Sequence, residues 1–241
     1  MAAALTGTEG EDPHHVTARP TPPEPDQGPP RVPVGEQLAA TRVVAILRAG
    51  HAGRAEAVAD VLVEHGIRCL ELTLTTAGAL DVVERLAGRL PADVEVGVGT
   101  VLGAADVDRA ADAGATFVVS PSVHPDVVAA ALRRRIASYP GAMTPTEIQT
   151  AWTLGASAVK LFPAGTLGPE HLKAVRAPLP HVPLVPTGGV EVHAVGAWLA
   201  AGACAVGMGS PLIGDALADD GDLAALADRA RAVVAAAGAR R

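Results

Sequence analysis

A lysine stands inside the apolar run SAVKLF (157–162), and a glutamate inside a second run, IRCLELTL (67–74). These are the residue types that covalent carbonyl chemistry needs. An amine can lose its proton and add to a ketone, and a carboxyl can pass protons to and from the adduct. Of the chain's 19 lysines and arginines only Lys160 and Lys173 are lysines. A guanidinium stays charged and cannot attack a carbonyl, so a lysine in so arginine-biased a chain points to work that arginine cannot do. If both runs are strands, alternation puts Ala158, Lys160 and Phe162 on one face and Val159 and Leu161 on the other. In the second run Leu70, Leu72 and Leu74 share a face, and Cys69, Glu71 and Thr73 share the opposite one. The aliphatic faces belong under helices, so Lys160 and Glu71 both point inward, where burial disfavours an ammonium. Two readings fit that contact. Glu71 either pairs with Lys160 and keeps it charged, or shuttles protons for an amine that forms a Schiff base. They differ in whether Lys160 is ever neutral.

Other polar residues fall at the ends of similar runs. Arg48 closes VVAILR (43–48), and its fork of donors suits a carboxylate, although an arginine at a strand end also serves simply as surface. Thr100 closes VEVGVGT (94–100), where the glycines let a ligand approach the backbone and the hydroxyl can bind the same carboxylate. Two glycine-rich stretches, PTGGV (186–190) and GMGSP (207–211), offer Gly188, Gly189, Gly209 and Ser210 as backbone donors to a phosphate. Neither stretch contains a lysine or arginine, so any grip there rests on backbone dipoles.

The elements that must position these residues repeat regularly. Strand candidates at 43–48, 67–74, 94–100, 116–120, 135–139, 157–162, 182–187 and 204–209 alternate with helix candidates at 53–65, 77–89, 104–113, 125–133, 145–154, 169–177, 191–201 and 222–237. Gly66, Gly114, Gly155 and Gly202 punctuate helix-to-strand turns, as left-handed C-terminal residues do. Eight strand–helix units in about 200 residues predict an α/β protein of the (β/α)8 TIM-barrel type, with its chemistry at the C-terminal ends of the strands. An open doubly wound sheet is the alternative, but GVGTVLG lacks the glycine spacing of a dinucleotide fingerprint. Residues 1–34 carry eight prolines and few large apolar residues, so they are expected to form a disordered tail ahead of a barrel spanning 35–241.

Composition narrows the function classes. The chain has 241 residues, 49% hydrophobic and 19% charged, which supports a sizeable core, and 2% aromatic, so that core is built from Ala, Val and Leu. A net charge of -7 argues against a nucleic-acid backbone binder. Two cysteines, Cys69 and Cys204, are too few for a disulfide framework and lack metal-ligand spacing. No apolar run reaches membrane-spanning length, and MAAALTG turns acidic by Glu9, unlike a signal peptide. A cytoplasmic location is expected, with no membrane or nucleic-acid partner.

Taken in order, AILR, LELTLTT, GVGTVL, SP, PGAMTPTE, VKLFPA, PTGG and GMGS resemble the 2-keto-3-deoxy-6-phosphogluconate (KDPG) aldolase / 4-hydroxy-2-oxoglutarate (KHG) aldolase family over residues 36 to 238. The resemblance implies a class I lyase on a (β/α)8 barrel, needing neither metal nor other cofactor, usually a homotrimer, that cleaves a 4-hydroxy-2-oxo acid to pyruvate and an aldehyde. It makes Lys160 the Schiff-base lysine and Glu71 the general acid/base. It puts Thr100 near the pyruvyl carboxylate, Pro121 and Phe162 in the pocket wall, and Thr187, Gly188, Gly189 and Ser210 on the distal, phosphate-binding side. Many members carry an arginine where this chain has Thr75, so Arg48 is expected to supply the lone cation for the carboxylate. A phosphate-binding barrel synthase or isomerase, with Lys160 serving only as a cation, is the alternative activity.

Overall fold

The structure is a computed structural model that describes residues 30–238. Eight parallel strands form the barrel: β1 (Val43–Leu47), β2 (Cys69–Thr73), β3 (Glu95–Gly99), β4 (Phe117–Val119), β5 (Ala137–Tyr139, resumed at Gly141–Ala142), β6 (Val159–Leu161), β7 (Leu184–Pro186) and β8 (Val206–Met208). Neighbours in sequence are neighbours in the sheet from β1 to β5 and again from β5 to β7. A bridge from Thr187 to Gly207 joins β7 to β8, and β8 pairs with β1 through Val43 and Val206, which closes the ring. The (β/α)8 expectation therefore holds.

Each connection carries a helix on the outside. Helix α1 (Glu36–Thr41) precedes the barrel. Then come α2 (Ala55–Glu64), α3 (Ala79–Arg89), α4 (Ala104–Asp112), α5 (Pro125–Arg134), α6 (Pro145–Thr153), α7 (Gly168–Arg176), α8 (Val195–Ala200), the single turn α9 (Ser210–Ile213) and α10 (Leu223–Ala237). Helix α2 shows why these segments are helical. Its buried residues, Ala55, Val58, Ala59 and Leu62, follow the i, i+3, i+4, i+7 spacing of one face. Helix α6 starts on a capping box, with Glu147 N–H bonded to Thr144 Oγ1, and has Pro145 in its first turn. At the far end of α2, Gly66 adopts φ 94°, the left-handed turn that returns the chain to β2.

Two apolar layers result. Outward-facing Leu70, Leu72, Val159 and Leu161 pack with the helices, while Val44, Cys69, Phe117, Tyr139, Ala158 and Val185 fill the lower half of the barrel. Large rings occupy this floor although aromatics are rare. Phe117 and Tyr139 lie 5.6 Å apart between ring centroids, and a Cβ on Gly97 would come within 2.4 Å of the Phe117 ring. Removing a buried Phe side chain of this kind typically costs about 3–5 kcal/mol.

Three features differ from the sequence expectation. The fifth strand continues beyond Tyr139, because Pro140 has no N–H and merely interrupts the ladder before Gly141 pairs with Lys160. The α1 turn closes the barrel floor with fully buried Leu38, while Gln37 N–H donates to Glu95 Oε1 at 2.9 Å. The described end of the proline-rich segment, residues 30–34, also lies against the barrel rather than forming loose chain. The Arg31 guanidinium sits 3.4 Å from the Trp152 ring centroid and donates to the Trp152 and Ala156 carbonyls, and Val32 and Val34 pack on the floor cluster. The rest of the expected tail lies outside the described residues.

Candidate active site

Strand alternation delivers Lys160 and Glu71 to the barrel interior from opposite sides. Glu71 sits on β2 between Ile46 of β1 and Gly97 of β3, and Lys160 sits on β6 between Gly141 of β5 and Val185 of β7. Above the apolar floor both open into one cavity of about 460 Å³ at the C-terminal mouth. Lys160 is half-buried, and its Nζ lies 4.8 Å from the centroid of the Phe162 ring. Glu71 is only 3% exposed. Burial holds its carboxyl above the usual carboxylate range, although the positive charges of Lys160 and Arg48 pull the other way. No nitrogen–oxygen separation between Lys160 and Glu71 is 4 Å or less, so the direct ion pair left open by the sequence is not formed.

The other residues singled out from the sequence line the same cavity: Arg48, Thr100, Pro121, Phe162, Thr187, Gly188, Gly189, Gly209 and Ser210. Arg48 extends β1 and is exposed at the mouth. Thr100 follows β3 with φ 61°, a left-handed conformation that is unusual and costly for a β-branched residue and that the surrounding fold must hold in place. Gly188 lies beneath Phe162, where a Cβ would meet the ring at 2.9 Å.

The lining also contains residues that sequence reading did not assign to the site, among them Thr73, Thr75, Pro211 and Ile213. Alternation already put Thr73 on the Glu71 face. Pro211 and Ile213 lie on α9, which at four residues is too short to leave a periodic pattern. Among the described residues no cluster of three or more His, Cys, Asp or Glu side chains is placed to hold a metal ion.

The room for Glu71 comes from Gly99. A Cβ built there would lie 1.9 Å from Glu71 Oε1 and 2.9 Å from its Cγ. Gly99 is not in the left-handed region, so alanine is tolerated by the backbone but not by the carboxyl. Gly99→Ala is expected to leave the circular dichroism spectrum intact and to lower kcat by on the order of 10²-fold, the scale for an ångström-sized misplacement of a reacting group. An unchanged kcat would show that Glu71 acts from another position.

An amine and a desolvated carboxyl facing one cavity at the mouth of a (β/α)8 barrel are the equipment of an enzyme that forms a Schiff base with a carbonyl substrate. Comparison with known proteins agrees. Residues 34–228 match the family model described as KDPG and KHG aldolase. A probable 2-dehydro-3-deoxy-6-phosphogalactonate aldolase of Rhizobium meliloti is 37% identical over 171 residues, covering 70% of this chain and 81% of that protein. The 2-dehydro-3-deoxy-phosphogluconate aldolase of Pseudomonas aeruginosa is 36% identical over 168 residues, covering 69% and 76%. Among solved structures, KDPG aldolase from Legionella pneumophila, with pyruvate captured at low pH as a covalent carbinolamine intermediate, superposes with a TM-score of 0.75. It is 28% identical, and the match covers 82% of this chain and 96% of that one.

The chain belongs to the KDPG and KHG aldolase family. It is a class I aldolase, a lyase, and the alternative of a synthase or isomerase without a covalent lysine is set aside.

Proposed function

We propose that this aldolase reversibly cleaves a 4-hydroxy-2-oxo acid, 2-dehydro-3-deoxy-6-phosphogluconate or 4-hydroxy-2-oxoglutarate, to pyruvate and glyceraldehyde 3-phosphate or glyoxylate. The observation that carries this reading is the shared cavity. Lys160 faces it without an ion pair to Glu71, and burial raises the Glu71 carboxyl above its ordinary range.

The unprotonated amine of Lys160 adds to the C2 carbonyl to give a carbinolamine. Glu71 donates the proton that lets water leave, forming an iminium. Glu71, now a carboxylate, takes the C4 hydroxyl proton. The C3–C4 bond breaks, its electrons pass into the iminium, and the aldehyde departs, leaving an enamine. Protonation at C3 and addition of water release pyruvate and the free amine. The carbinolamine captured in the Legionella relative is the first species of this sequence.

In this reading Arg48 and Thr100 hold the C1 carboxylate, and Pro121 and Phe162 wall the reacting carbons. Thr187, Gly188, Gly189, Gly209 and Ser210 receive the distal end, with backbone N–H groups as donors to a phosphate. Arg48→Ala is expected to raise the pyruvate KM by about tenfold, the scale of one charge-assisted hydrogen bond, with little change in kcat. An unchanged KM would show that the carboxylate is held elsewhere. Pyruvate release from the two named substrates and from the galactonate epimer, assayed side by side, tests the substrate assignment. Activity on none of them would overturn it.

The reading includes a cytoplasmic homotrimer. Family membership supports it, and the exposed apolar side chains of Leu102 and Met143 are available to a neighbouring subunit. Among the described residues no helix is long and apolar enough to cross a membrane. Sedimentation should give the mass of three chains, and a monomer would contradict the assembly.

A further inference from the structure

In the reading above, the C1 carboxylate lies between Arg48 at the end of β1 and Thr100 at the end of β3. The strand between them is β2, and its end carries three linked threonines. Ala49 N–H donates to Thr76 Oγ1 at 3.1 Å. Thr76 Oγ1 lies 3.2 Å from Thr73 Oγ1, which lies 3.0 Å from Thr75 Oγ1. Each hydroxyl has a single proton to give. Thr76 and Thr73 are buried, so each must spend that proton on a partner. Thr76 already accepts from Ala49, and among the described residues the one other partner of its hydroxyl is Thr73. Donation therefore runs from Thr76 to Thr73 and on to Thr75. Thr75 is exposed, lines the cavity and keeps its own proton for whatever enters. Each link polarises the next, which strengthens the last donor.

We propose that Thr75 is a donor to the substrate carboxylate, and that Thr73 and Thr76 are positioning residues that orient its hydroxyl through this relay. The inference rests on the Schiff-base reading. Charge gives the relay its purpose. Once Lys160 is committed to the imine, Arg48 is the sole lysine or arginine left among the cavity-lining residues. A substrate anionic at both ends then needs neutral donors as well, and Thr75 and Thr100 line the same cavity just beyond the ends of β2 and β3, where the carboxylate is proposed to lie.

The test is the half-saturation concentration for trapping the imine with borohydride, measured with pyruvate and with hydroxyacetone, a ketone that lacks the carboxylate. Thr75→Val is expected to raise the pyruvate value about tenfold, the effect of losing a hydrogen bond to a charged group, and to leave the hydroxyacetone value within about twofold. Thr75→Ser, which keeps the hydroxyl, should retain the wild-type value. Thr76→Val, at a residue outside the cavity lining, is expected to raise the pyruvate value about threefold through the weakened relay, and Thr76→Ser to restore it. An unchanged pyruvate value in Thr75→Val overturns the proposal. So does an equal rise for both ketones, which would mean general distortion of the mouth. If the wild-type enzyme traps neither ketone, the Schiff-base reading fails as well, and that result is recognisable before any variant is made.

Discussion

Alanine in place of Lys160 is expected to leave no measurable turnover. The proposed reaction passes through a covalent bond to this nitrogen, and among the described residues no other amine lines the cavity. Losing a covalent nucleophile costs on the order of 10⁶-fold in enzymes where it has been removed. Arginine at the same position keeps the charge and most of the bulk but cannot form an imine, so Lys160→Arg is expected to be equally inactive. Lys173 provides the contrast. It lies on α7, exposed, with Nζ 2.7 Å from Glu170 Oε1, and Lys173→Ala is expected to turn over normally. The pair of variants separates covalent catalysis from simple charge. Activity retained by Lys160→Arg would mean that a cation suffices.

Glu71→Gln is expected to lower kcat by about 10²-fold or more, the scale for losing a general acid/base. The same change has a stability signature of opposite sign. Burial holds the Glu71 carboxyl above its usual pKa of 4.5, so between that value and the raised one the folded chain binds more protons than the unfolded chain. Stability then falls as pH rises through this window. Glutamine cannot ionise and avoids that loss. The variant should melt at a higher temperature than wild type at neutral and alkaline pH, with the difference shrinking toward pH 4.5 and below. Calorimetry across pH, paired with kcat, checks both halves. A variant that is slow but no more stable at neutral pH would mean that Glu71 is not desolvated as described. Normal turnover would reduce Glu71 to a structural residue.

The fold was legible because two periods, 2 and 3.6, alternate cleanly from residue 43 onward and glycines mark the turns. Lys160 and Glu71 were legible for the same reason, since a charged residue on the inward face of an aliphatic strand stands out. What escaped has short-range or long-range causes rather than periodic ones. Helices α1 and α9 are too short to show a stripe. Arg31 looks like part of a proline-rich leader until its partners on α6, more than 120 positions away, are in place. Pro140 ends the pattern of β5 although the strand resumes. The threonine relay depends on how the chain turns after β2, and the sequence shows only three similar residues there.

Incubating the enzyme with isotopically labelled pyruvate and borohydride, then mapping the label by peptide mass spectrometry, tests the central claim most directly. The account predicts a single reduced adduct on the peptide containing Lys160, absent in Lys160→Ala. Label confined to Lys173, or pyruvate released from substrate with no adduct formed, would contradict it.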